Sequence, residues 1–103
     1  MIEPGCSILE VGCGTGALAR ELEDECSRIV AVDRSARMID YARHNKGHRE
    51  DRVKFLLADA AELRDRVAGS FDYAVSSMVL HALEPDVRRR VLAEMQALAC
   101  RLI

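Results

Sequence analysis

The sequence predicts an α/β fold, a parallel β-sheet with helices on both faces, and three observations carry that expectation. Short apolar runs rich in β-branched residues recur at residues 7–11, 29–33, 53–57 and 71–76. Segments with apolar residues at helical spacing stand between and after them, the alternation that βαβ crossovers produce. The first run ends in a glycine cluster, as a buried strand does when it enters a tight turn before a helix.

Each element has its own signal. Ser7-Ile8-Leu9-Glu10-Val11 is the first strand, and residues 17–25 then place Leu18, Ala19 and Leu22 on one helical face. Residues 29–33 are apolar and continuous up to Asp33, after which Ser35 supplies an N-cap for a helix over 36–45 with Met38, Ile39 and Ala42 as its stripe. The polar stretch 46–51, with Gly47 just past that helix, is a loop into the third strand, 53–57. Residues 59–66 read as a turn or short helix, Gly69-Ser70 is punctuation, and 71–76 is the fourth strand. Pro85 suits the first turn of a last helix, in which Val87, Val91, Leu92, Met95, Leu98, Ala99 and Leu102 keep a 3.6-residue period to the end of the chain.

With 103 residues there is room for one domain and one core. Half the residues are hydrophobic and 31% are charged, the balance of a globular chain rather than a disordered one. The formal net charge of −2 is spread over 15 basic and 17 acidic residues, so no field favours a polyanion and no nucleic-acid partner is indicated. No apolar run reaches membrane-spanning length and the start lacks a signal-peptide pattern, so no membrane is expected and the cytoplasm is the expected compartment. Cys6, Cys13, Cys26 and Cys100 have neither zinc-site spacing nor the density of a disulfide scaffold, and read as reduced thiols filling small apolar positions. His44 and His48 are four apart, but Gly47 intervenes in a polar loop, so no metal site is expected. Arg88-Arg89-Arg90 reads as the solvated face of the last helix.

The residues that carry chemistry cluster after the strands. Glu10-Val11-Gly12-Cys13-Gly14-Thr15-Gly16 joins the first strand to the first helix, where glycines admit a ligand to the backbone and the helix N-terminus offers unpaired N–H donors. The bland alternative is a tight turn that needs glycine for geometry alone. Glycines at 12, 14 and 16 followed by Ala17 depart from the G-x-G-x-x-G order that faces a pyrophosphate. Asp33, 17 residues after Gly16, stands where an acidic side chain accepts hydrogen bonds from ribose hydroxyls, or where it merely starts the turn into the helix capped by Ser35. Asp59 and Ala60 follow the third strand, and Asp59 also suits a cap for residues 60–66.

Together these segments resemble the class I S-adenosylmethionine-dependent methyltransferases, from Ile8 to Leu102, with four motifs in order. The resemblance implies a Rossmann-like sheet of about four strands in the order 3-2-1-4. It implies that Glu10, Gly12, Cys13, Gly14 and Gly16 wrap the methionine end of the cofactor S-adenosylmethionine, and that Asp33, with Arg34 beside it, meets the ribose. Asp59 then meets the adenine amino group and the Ala60 N–H a ring nitrogen. The run Phe71-Asp72-Tyr73-Ala74-Val75-Ser76-Ser77-Met78-Val79-Leu80-His81-Ala82-Leu83 matches the pattern F-D-x-x-x-S-x-x-x-L-H-x-L of the small-molecule group that includes quinone-biosynthesis enzymes. That places Ser76 and Ser77 beside the methionine portion and makes a small-molecule methyl acceptor the expected partner.

Methyl transfer from a sulfonium is an in-line displacement with a neutral leaving group, so positioning dominates and no catalytic triad is expected. His81 is the weak candidate for a base, with packing as its alternative. Relatives continue past the last helix into a fifth, sixth and seventh strand. On this reading those strands and the helix before the first strand are absent, and the isolated chain binds without turning over. The fourth strand would be left as an open edge through which a homodimer forms. Two other readings stand beside this one. A nicotinamide-dependent oxidoreductase suits Asp33 but not the glycine order or Asp59-Ala60, and a cofactor-binding remnant suits the length.

Overall fold

In the computed structural model, which describes residues 4–45, 51–77 and 80–103, the strands are Cys6–Val11 (β1), Cys26–Asp33 (β2), Val53–Leu57 (β3), Phe71–Ser76 (β4) and Ala99–Leu102 (β5). They form one sheet in the order β3-β2-β1-β4-β5, and every pairing is parallel. The helices are Ala17–Leu22 (α1), Ala36–His44 (α2), Leu63–Arg66 (α3) and Pro85–Leu98 (α4).

Alternation along β1 and β2 divides the core into two layers, because successive side chains of a strand point to opposite faces. Leu9, Val11, Val30 and Val32 pack with Leu63 of α3 and Val91, Met95 and Leu98 of α4. Ile8, Ile29 and Ala31 pack with Ala19 of α1, Ile39 and Ala42 of α2, and Phe55 of β3. Helices therefore cover both faces, and β1 is buried on both, which is why it reads as an unbroken apolar run. Each fully buried aliphatic side chain in these layers, such as Ile8 or Leu9, contributes about 1.5–3 kcal/mol.

The end of the chain departs from expectation. The last helix stops at Leu98, Ala99 turns extended (φ −135°, ψ 149°), and residues 99–102 form a fifth strand beside β4. The periodicity concealed this because Leu102 lies four residues after Leu98, in phase with the helix although it belongs to a strand. The four-strand expectation is thus corrected to five. With it falls the homodimer expected through the fourth strand, since β4 lies between β1 and β5 and its backbone groups pair on both sides. Val91, Met95 and Leu98 of α4 are all buried against the sheet.

Smaller differences have local causes. The first helix ends at Leu22, three residues early, and the Glu25 N–H turns back to the Leu22 carbonyl at 3.0 Å. The second strand begins at Cys26 rather than residue 29. Ser35 caps α2 as expected, its Oγ accepting the Met38 N–H at 3.3 Å. His48 and most of the 46–51 loop, like Met78 and Val79, lie outside the described residues. Cys6, Cys13 and Cys26 fill buried positions, with the Cys6 and Cys26 sulfurs 3.9 Å apart, whereas Cys100 on β5 is exposed rather than packed. Among the described residues no helix is long and apolar enough to cross a membrane.

Two contacts hold the short helical segment after β3 in place. Buried Glu94 of α4 accepts the Arg64 backbone N–H at 2.9 Å and the Arg64 Nε–H at 2.8 Å. Arg90 is tethered rather than merely solvated, donating from Nε to the Ala61 carbonyl at 2.8 Å. Together they pin the 3₁₀ turn Ala60–Glu62 to α4, and with it the residues that border the site.

Candidate functional site

All five strands run the same way, so their C-terminal ends share one edge of the sheet. From β1 the chain proceeds to β2 and β3 on one side, while β4 and β5 lie on the other. A crevice opens outside the strand ends at such a reversal. A cleft of about 420 Å³ lies there, bordered by Gly12, Asp33, Arg34, Asp59 and Ala60. Its apolar walls are Val11, Val32 and Ala58 from the sheet side with Leu83, Val87 and Val91 from the α4 side. The volume falls within the range of small-molecule pockets.

The glycine loop is anchored over β2, the Gly12 and Cys13 N–H groups both donating to the Val32 carbonyl at 2.8 and 2.9 Å. Its glycines have different duties. Gly14 has φ +54° and a Cβ built there meets nothing within 4 Å, so the loop leaves open space at that point. Gly16 has φ +83°, and a Cβ there would stand 2.9 Å from the buried Phe55 ring, so its glycine is needed for packing.

Asp33 performs the turn role expected of its position and a second one that joins it to the glycine loop. Its Oδ1 accepts the Ser35 N–H at 2.9 Å, starting the turn into α2, and its Oδ2 accepts the Gly14 N–H at 2.9 Å, fixing the glycine loop. A carboxylate has about four acceptor sites, so roughly two remain for a ligand. Asp59 likewise caps the following turn, its Oδ1 accepting the Ala61 N–H at 2.9 Å, while it borders the cleft.

At the junction of β1 and β4, Glu10 is only 2% exposed. Its Oε2 accepts the Ser77 hydroxyl at 2.7 Å, and Ser77 is held in turn by its N–H to the Val11 carbonyl at 2.9 Å. Oε1 is buried with no hydrogen-bond partner among the described residues. Burial pushes the Glu10 carboxyl above its ordinary range, the Ser77 bond opposes this, and the Asp33 charge adds to it. The same surroundings act on Cys13, whose thiol is pushed up to about 12 by burial and by the neighbouring carboxyl groups of Glu10 and Asp33. The junction is electronegative, and it favours a cationic group.

Of the sequence-predicted residues, five border the cleft directly, while Glu10, Cys13, Gly14 and Ser77 are joined to it through the loop and Asp33. Ser76 is half-buried at the end of β4. Gly16 packs inward, and His81 is exposed on the turn Leu80–Ala82, outside the cleft lining. Sequence reasoning placed Val87 and Val91 in the period of the last helix and Leu83 at the end of the Phe71–Leu83 pattern, and named none of the three as a site residue. The one signal was Val87 itself, a large apolar residue in the first turn of α4 that stays 42% exposed. Among the described residues no group of three His, Cys, Asp or Glu side chains is placed to hold a metal ion.

The family model for a methyltransferase domain matches residues 8–99. The chain belongs to the S-adenosylmethionine-dependent methyltransferases. Among other methyltransferases, the magnesium-protoporphyrin O-methyltransferase of Rhodobacter capsulatus is 36% identical over 93 residues, which cover 88% of this chain and 40% of that enzyme. The ribosomal protein L11 methyltransferase of Burkholderia multivorans is 32% identical over 85 residues, 81% of this chain and 26% of that one. The crystal structure of the N-methyltransferase NodS from Bradyrhizobium japonicum WM9, in complex with S-adenosylhomocysteine, superposes with a TM-score of 0.75 at 25% identity, covering 91% of this chain and 47% of NodS. The methyltransferase chain thus spans well under half the length of these two curated relatives.

Proposed function

We propose that this methyltransferase chain binds S-adenosylmethionine across the C-terminal ends of its strands and supports methyl transfer to a small-molecule acceptor. The observation that carries the reading is the Gly14–Asp33 contact. One hydrogen bond joins a loop glycine that has open space beside it to a carboxylate that borders the cleft and keeps acceptor sites free.

The residues present fit the cofactor. Asp33 supplies acceptors for ribose hydroxyls, and the apolar walls Val11, Val32, Leu83 and Val87 suit an adenine ring. Asp59 and the Ala60 N–H supply an acceptor and a donor for its edge. Glu10, with a buried oxygen that has no partner among the described residues, suits the cationic amino-acid end. When bound, the cofactor supplies a methyl group on a sulfonium that leaves as a neutral thioether, so the protein's task is to orient and to exclude water. The small-molecule acceptor is supported by the Phe71–Leu83 pattern and by the 36% identity to an enzyme named for a porphyrin substrate.

Calorimetric titration with S-adenosylmethionine, S-adenosylhomocysteine and NAD in parallel tests the reading. The two adenosyl amino acids are expected to bind and NAD is not. NAD binding as tightly as either would refute it.

A further inference from the structure

We propose that Glu10 is neutral while the site is empty and gives up its proton when a ligand's ammonium group docks on Oε1, so that binding at this site is linked to proton release. The proposal rests on the reading above that the site takes an adenosyl amino acid, and it adds how the site is regulated by pH.

The geometry carries it. Glu10, the penultimate residue of β1, is 2% exposed, and one of its oxygens has a donor while the other has none among the described residues. An anionic carboxylate left with an undonated oxygen in a buried site bears the full desolvation penalty, and holding the proton on Oε1 removes the charge. The charged and titratable groups that reach Glu10 make ionisation harder. Asp33, at the end of β2, is negative, and the Cys13 thiol of the glycine loop is not a cation. Among the described residues beyond β4, the uncharged Ser77 hydroxyl is the group that reaches Glu10, and it satisfies Oε2.

A cation would reverse the balance, and its type matters. A sulfonium carries no N–H or O–H, so it cannot satisfy an undonated oxygen, whereas an ammonium brings three donors. The step balances without any co-reactant: the Oε1–H bond breaks, the proton leaves to solvent, and the resulting carboxylate accepts a charge-assisted hydrogen bond from the ammonium. Affinity for an ammonium-bearing ligand therefore rises with pH, by up to about tenfold per unit, until Glu10 is ionised in the free chain, and is flat above that.

The test is calorimetry of S-adenosylhomocysteine binding between about pH 5 and 8 in buffers of different ionisation enthalpy, which counts protons. Release approaching one proton at the acid end is expected, vanishing for Glu10→Gln and for methylthioadenosine, which lacks the ammonium. Ser77→Ala, which removes the bond that favours the ionised form, is expected to shift the release to higher pH, and it serves if Glu10→Gln fails to fold. Measurable binding with no proton release and a flat affinity would overturn the proposal while leaving the cofactor reading intact. So would unchanged release in Glu10→Gln, or release with S-adenosylmethionine but not S-adenosylhomocysteine. If no adenosyl ligand binds at any pH, the cofactor reading falls and this proposal with it.

Discussion

Alanine at Gly14 and alanine at Gly16 should separate binding from stability, although both residues sit in one loop and both have positive φ. The backbone cost is common to them, about 1–2 kcal/mol for placing a side chain in the left-handed region. The steric cost is not. At Gly14 the new methyl group meets nothing within 4 Å, so the fold bears only the backbone term. At Gly16 it would stand 2.9 Å from two atoms of the Phe55 ring, which is 5% exposed and packed under β2 and α2, so the neighbour cannot swing away. Overpacking of that kind adds about 1–3 kcal/mol, bringing Gly16→Ala to about 2–5 kcal/mol. For a domain of this size each kcal/mol moves the melting temperature by about 4–8 °C. Gly16→Ala is therefore expected to melt at least about 8 °C below the parent chain and clearly below Gly14→Ala. Gly14→Ala should instead lose most of its S-adenosylhomocysteine affinity, because the backbone strain falls on the loop residue whose N–H is tied to Asp33 at the border of the cleft. Thermal melts followed by circular dichroism and calorimetric titration of the same samples decide it. Equal melting temperatures for the two variants, or parental affinity in Gly14→Ala, would refute the division of labour.

Two further expectations concern carboxylates. Asp33→Ala should weaken S-adenosylhomocysteine binding roughly 10- to 100-fold, the equivalent of about 1.5–3 kcal/mol for a lost charge-assisted hydrogen bond, and an unchanged dissociation constant in a folded variant would remove Asp33 from the site. Glu94 is held below its ordinary value of 4.5, first by the Arg64 backbone N–H and then by its side chain. A carboxylate lowered in the folded state contributes stability that is present in full above 4.5 and lost as the pH falls through the lowered value. The melting temperature of the parent chain should thus drop more steeply below about pH 5 than that of Glu94→Gln, and parallel acid limbs would count against the buried contact.

Much of the site was legible in the sequence because its key residues are tied to strand ends. A glycine cluster after one apolar run and an acidic residue after each of the next two can be read without coordinates, since parallel strands bring their C-terminal ends to one edge. Asp33 shows the limit of that reading. Its turn role is visible in the Ser35 contact, but the same carboxylate also anchors Gly14, a contact that neither candidate role anticipated. Gly16 shows another, for its partner Phe55 is 39 residues away and no local pattern announces the contact.

What the sequence by itself determined is the order of the elements, the two-faced burial of β1 and β2, and the positions of Gly12, Asp33 and Asp59, all of which follow from local periodicity and spacing. What only the tertiary structure decided are features in which two distant segments meet. The strand Ala99–Leu102 exists because Phe71, Tyr73 and Ala74 offer it backbone partners, and its own four residues keep a helical phase. Val87 lines the cleft and stays 42% exposed, whereas Val91, one helical turn on, is buried. Glu10 loses its solvent, and keeps one oxygen without a donor among the described residues, while Ser77, just past β4, bonds the other oxygen. Hydrogen-bond saturation and desolvation depend on every atom around a group, so they are properties of the packed chain, whereas periodicity is a property of a segment.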